Sequence, residues 1–235
     1  MSLPRKDVIV ACDFGSRAEA LDFLGMFGED RPFVKIGMEL FYAEGPDMVR
    51  ALKARGHRIF LDLKLHDIPN TVRRSMAVLS ALDVDICNVH AAGTAEMMRA
   101  ALEGLVRPDG SRPLLIAVTQ LISTSEERMH SDLLIDRPMP EVVRHYARTA
   151  RDAGLDGVVC SPLEAGDVHR CCGQGFLAVT PGVRFAEGGA GDQVRVATPA
   201  RARELGSDLI VVGRPITRAA DPVAAWKRCV REFLG

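Results

Sequence analysis

Eight short apolar runs, each followed by a stretch with helical character, constrain this chain more than any other feature. They are "VIVAC" at 8–12, "FVKIG" at 33–37, "RIFLDLK" at 58–64, "DICNVH" at 85–90, "LLIAVT" at 114–119, "GVVCS" at 157–161, "FLAVT" at 176–180 and "LIVVG" at 209–213. Strands alternating with helices build parallel βαβ units, and near-continuous apolar character fits strands covered on both sides. Eight β–α pairs in 235 residues predict an α/β fold, a (β/α)8 TIM barrel forming a single domain over residues 1–235. An open doubly wound sheet would need fewer strands or a second domain, and no composition shift marks a linker.

Helix punctuation fills the intervals. Ser16 and Glu19 match a capping box, Pro46 suits a first turn, and Gly56 and Gly154 suit helix stops. Val72, Met76 and Leu79 form one apolar stripe; Val223, Trp226, Val230 and Phe233 form another. Such stripes are ordinarily core.

A hydrophobic fraction of 47% supports a substantial core, and 30 basic against 31 acidic residues leave a net charge of −1. That balance makes no general field for nucleic acid or an anionic membrane, so any anion site must be local. The six cysteines lack CxxC spacing and zinc-type clustering, which predicts reduced thiols, including the vicinal pair Cys171 and Cys172. "VIVAC" stops at Asp13, too short for a signal-peptide core or a membrane span, so a cytoplasmic location is expected.

In a barrel of this type the loops after the strands build the active site, so polar residues at strand C-terminal ends are the informative ones. In "FLDLKLHDIPNT" at 60–71, Asp62 and Lys64 are two apart, so both leave one face of the strand, roughly 6.6 Å apart along the backbone. Lys35 on the neighbouring strand can join them, with Asp67 just beyond the strand end. A structural ion-pair network is the plainer reading. Repeated desolvation of charge, however, costs energy that a packed apolar layer avoids, which favours chemistry. Carboxylates on either side keep a lysine protonated, describing a cationic acid rather than an amine nucleophile. His66 and His90 lie nearby, without a direction set by spacing alone.

A second constellation is "IVVGRPIT" at 210–217. Gly213 lets the backbone approach an oxyanion, Arg214 adds a planar cationic fork, and barrels commonly hold phosphate after strands seven and eight. Between those strands, "PGVRFAEGGAGDQVRVATP" at 181–199 carries Pro181, Arg184 and Gln193 around three glycines, the pattern of a lid closing on phosphate.

Taken together, "ACDF", "FVKIGMELF", "DLKLHDIPNT", "NVHAAG", "TPGVR", "DQVRVATP" and "VVGRPIT", in this order, closely resemble the orotidine 5′-phosphate decarboxylase family, most of all its bacterial branch. The likeness covers nearly the whole chain. It implies cofactor-free decarboxylation of orotidine 5′-phosphate to UMP in pyrimidine biosynthesis, by a homodimer of barrels. It further implies that Lys35, Asp62, Lys64 and Asp67 form the catalytic array, with Lys64 protonating C6. Asp67 and Thr71 would reach the partner's site, Asp13 and Lys35 would hold the ribose, and Arg184, Gln193, Gly213 and Arg214 would hold phosphate. One position departs from the pattern. Where the family usually places Ser or Thr against the pyrimidine, "TQLIS" offers Ile122, followed by Ser123.

No thiamine, pyridoxal or metal motif is visible, so no cofactor is expected. Two rivals remain: a Mg2+-dependent sugar-phosphate decarboxylase or isomerase using the D-x-K-x-x-D array, and a catalytically silent nucleotide-phosphate binder.

Overall fold

The computed structural model describes residues 6–187 and 196–235. Eight parallel strands close into a barrel in chain order. They are β1 (Asp7–Cys12), β2 (Phe33–Gly37), β3 (Ile59–Leu65), β4 (Ile86–His90), β5 (Leu114–Val118), β6 (Gly157–Val159), β7 (Leu177–Thr180) and β8 (Leu209–Val212). Each lies within a residue or two of the run that predicts it. Around them run α1 (Arg17–Gly25), α2 (Met38–Glu44), α3 (Pro46–Ala54), α4 (Pro69–Ser80), α5 (Thr94–Leu105) and α6 (Glu126–Ser131). The ring continues with α7 (Met139–Asp152), α8 (Ala165–Cys172), α9 (Pro199–Leu205), α10 (Arg214–Thr217) and α11 (Pro222–Leu234). None of the described helices is long and apolar enough to cross a membrane.

The period of two along each strand separates two cores. Outward residues such as Val10, Ile36, Leu61 and Val89 pack under the helices, joined by Val72, Met76 and Leu79 of α4 and Phe233 of α11. Inward residues Ile9, Phe33, Phe60, Ile86, Ile116, Val179 and Leu209 fill the barrel. Val223, Trp226 and Val230 of α11 are only partly buried, and Trp226 meets Phe27 edge-on at 5.7 Å. At Gly104 of α5 an added Cβ would come within 2.1 Å of the Arg73 carbonyl, so only glycine lets α4 and α5 approach this closely.

Helix punctuation follows the sequence with one change. Ser16 Oγ accepts from the Glu19 N–H, but the Glu19 carboxylate accepts from Gly15, one residue before the reciprocal partner that a capping box requires. A complete capping box occurs instead at Ser161 and Glu164.

At the N-terminal end of the barrel, three aspartates preceding even-numbered strands fasten the odd-numbered strands beside them. Asp85 accepts from Ile59 N–H at 2.7 Å, Asp156 from Leu115 N–H at 2.8 Å and Asp208 from Ala178 N–H at 2.8 Å. Each carboxylate also meets a basic side chain: Lys53, Arg112 and His169 respectively. All six cysteines are free; the sulfurs of Cys171 and Cys172 lie 3.4 Å apart.

Candidate active site

The inward series changes character as it climbs the barrel. Lys35 follows Phe33, Asp62 follows Phe60, and Asn88 follows Ile86, each two residues on and therefore facing the axis. Polar groups thus stand on a packed apolar floor at the C-terminal ends of the strands. Lys35 and Asp62 border a cavity of about 510 Å³, also lined by Asp13, Lys64, Gln120, Pro181, Arg184, Gly213 and Arg214 among others.

Four of the predicted charges form a continuous chain of alternating sign. Lys35 Nζ donates to Asp13 Oδ1 at 2.8 Å and lies 3.4 Å from Asp62 Oδ2. Lys64 Nζ donates to the other oxygen of Asp62 at 2.7 Å. Burial pulls Lys35 down, but the Asp62 and Asp13 carboxylates outweigh it and hold this lysine above its ordinary range. Burial pushes Asp62 up, yet Lys35, Lys64 and hydrogen bonds from Lys64 and Asn88 hold it below the usual carboxylate range. Gly37 leaves room for this arrangement: a Cβ there would sit 3.0 Å from both Asp13 Oδ1 and Lys35 Nζ.

Simple alternation predicts that Asp62 and Lys64 share a face, and their side chains do meet. The backbone between them is not a regular pleat. Lys64 has φ +52°, and the pairing of β3 with β4 shifts register between Leu61 and Leu65. A left-handed non-glycine residue costs about 1–3 kcal/mol and persists only where its surroundings impose it. Here the Lys64 N–H donates to Asn88 Oδ1 at 2.8 Å, and Asn88 Nδ2 donates to Asp62 Oδ1 at 2.7 Å.

Asp67 and Thr71 do not line the cavity. Both are exposed, and Asp67 Oδ1 accepts from the Ile68 N–H at 2.7 Å. Within one chain the connected array is therefore Asp13, Lys35, Asp62 and Lys64, without Asp67. Gln193 and the glycines at 188, 189 and 191 lie outside the described residues. Ile122 and Ser123 both line the cavity, as does the buried Gln120. The His66 and His90 rings lie 5.6 Å apart, and neither is among the lining residues. Burial, with the charges of His66 and Lys64, holds His90 below the ordinary histidine value. The sequence places Asn88 at the end of the fourth strand without assigning it a role; the period of two through inward-facing Ile86 turns it toward the axis.

Residues 6–229 match the family described as Orotidine 5'-phosphate decarboxylase / HUMPS. An orotidine 5'-phosphate decarboxylase of Geobacillus sp. (strain WCH70) is 56% identical over 230 residues, covering 97% of this chain and 96% of that one. That of Bacillus caldolyticus is also 56% identical over 230 residues, covering 97% and 94%. Among solved structures, orotidine 5'-phosphate decarboxylase from Lactobacillus acidophilus superposes with a TM-score of 0.88 at 42% identity, covering 98% of this chain and all of that one. An uncharacterized conserved protein from Geobacillus kaustophilus gives 0.86 at 50% identity, covering 96% and 99%. With the charged array, the cavity and the strand order all inside the matched span, the chain belongs to the orotidine 5'-phosphate decarboxylase / HUMPS family.

Proposed function

We propose that this protein converts orotidine 5′-phosphate to UMP and CO2, the decarboxylation step of pyrimidine biosynthesis, without a cofactor. The observation that carries the reading is Lys64 Nζ, held by Asp62 at the wall of a cavity that Arg184 and Arg214 also line. The named activity of relatives at 56% identity favours this substrate over a sugar phosphate.

In the proposed reaction the bond from C6 to the carboxylate breaks, CO2 leaves, and the electron pair stays on C6. The Lys64 ammonium stabilises that charge from a fixed position and then transfers a proton to C6. Asp62 holds Lys64 and stands near the departing carboxylate. Asp13 and Lys35 bind the ribose hydroxyls. Arg184, Gln193, Gly213 and Arg214 take the phosphate, and Pro181 forms part of the wall. Binding energy from the phosphate, far from the reacting carbon, then helps organise the charged array. Asp67 and Thr71 complete the site of a second subunit, which suits their exposure outside their own chain's cavity.

UMP formation by the purified protein, with and without EDTA, and by Lys64→Ala tests this. The expected result is turnover insensitive to chelation and a fall of about 10⁴-fold in the variant. Loss of activity on chelation, turnover of a sugar phosphate but not of orotidine 5′-phosphate, or binding without turnover would each overturn it.

A further inference from the structure

A proton donor that serves one carbon atom must have both ends of its side chain located. In this protein a single buried carboxamide holds one end directly and the other through the Asp62 carboxylate. Asn88 has no exposed surface and is not among the residues that line the cavity. Its Oδ1 accepts from the backbone N–H of Lys64, the residue at φ +52°. Its Nδ2 donates to Asp62 Oδ1, the same oxygen that receives Lys64 Nζ. The start of the lysine and its charged tip are therefore referred to one group on the next strand.

We propose that Asn88 is a positioning residue for the reaction: its carboxamide locks the left-handed turn at Lys64 and the Asp62 carboxylate into one unit, and so sets where the ammonium stands. This rests on the reading of Lys64 as the proton donor.

The chemistry of the position is specific. One acceptor and one donor are needed on a short, planar side chain. Leucine has the size and supplies neither. Aspartate supplies the acceptor, but its second oxygen faces Asp62 and can donate only when protonated. Two carboxylates so close hold a shared proton to higher pH than either would alone. Asn88→Asp is thus a clamp that protonation closes, whereas Asn88→Leu is a clamp that nothing closes.

Steady-state kinetics on both variants, across pH, provide the test. Asn88→Leu is expected to lose kcat by about 100-fold, the scale of a 1 Å misplacement, with KM for orotidine 5′-phosphate little changed because the phosphate contacts are untouched. Asn88→Asp is expected to lose kcat at neutral pH and to recover part of it as pH falls; the unmodified protein and Asn88→Leu should show no such recovery. Should Asn88→Leu fail to fold, the isosteric Asn88→Asp profile decides alone. Unchanged kcat in either folded variant at neutral pH, or an Asn88→Asp profile parallel to the unmodified one, would overturn the proposal. Crystal structures of the folded variants separate this from the reading beneath it. Lys64 should leave the left-handed conformation or lose its bond to Asp62, whichever substrate the enzyme takes, and retention of both contacts would also refute the clamp.

Discussion

Lys64 extends from a backbone conformation that lysine rarely adopts. Further along the charged chain, Gly37 leaves room for the Asp13–Lys35 pair. Gly37→Ala places a methyl 3.0 Å from Asp13 Oδ1 and Lys35 Nζ, so the ion pair must move. The expected outcome is a fall in kcat/KM of about 10²-fold, read by UMP formation; wild-type kinetics in this variant would show that the Asp13–Lys35 geometry is not needed. A second residue-scale prediction concerns His169, whose Nε2 lies 2.9 Å from the Gly206 carbonyl and 3.1 Å from Asp208 Oδ2. The hydrogen bond to Asp208 raises its pKa; burial opposes this, and the Asp208 charge adds to the rise. The folded value therefore lies above the unfolded one, near 6.5. Its stabilisation is fully present below that unfolded value and is lost as pH rises through the folded value. The melting-temperature gap between wild type and His169→Gln should be larger at acidic pH than at alkaline pH, and a gap independent of pH would count against the assignment.

At the scale of elements, the two ends of the barrel divide stability from chemistry. Asp156, just before β6, accepts from the Leu115 N–H, the second of β5, and pairs with Arg112. Asp156→Ala leaves that N–H and the Arg112 guanidinium without this partner, at a cost of about 1–3 kcal/mol. A melting point lowered by about 2–4 °C for each kcal/mol is expected, measured calorimetrically, with kcat unchanged. A variant that loses kcat while melting normally would contradict the division. The strands themselves were legible because eight apolar runs bounded by turn residues leave few other partners for their backbone. The aspartate clamps were not. An acid at the start of a strand looks like turn chemistry, and its partner at Leu115 is 41 residues away in sequence. Likewise, Glu19 shows a pattern correct in type whose last hydrogen bond shifted by one residue.

At the scale of the molecule, the exposed Asp67 and Thr71 bear on assembly. If two subunits share each site, inactive Lys64→Ala and Asp67→Ala proteins should rescue one another. In a mixed dimer one site then carries both substitutions and the other carries none. Random exchange of equal amounts would restore about a quarter of wild-type activity. Absence of rescue, after native mass spectrometry has confirmed mixed dimers, would place Asp67 outside the partner's site.

By itself the sequence determined the strand count, the parallel order and the list of charges at the strand ends, because periodicity and strand-end position are local properties of the chain. Only the tertiary structure decided that Asp13, Lys35, Asp62 and Lys64 form one alternating chain while Asp67 stands apart. It also decided that the Lys64 turn is bulged and tied to Asn88. The reason is physical: a hydrogen bond or a shared proton is set to within tenths of an ångström by strands far apart in sequence. No spacing along one strand encodes how its neighbour will meet it.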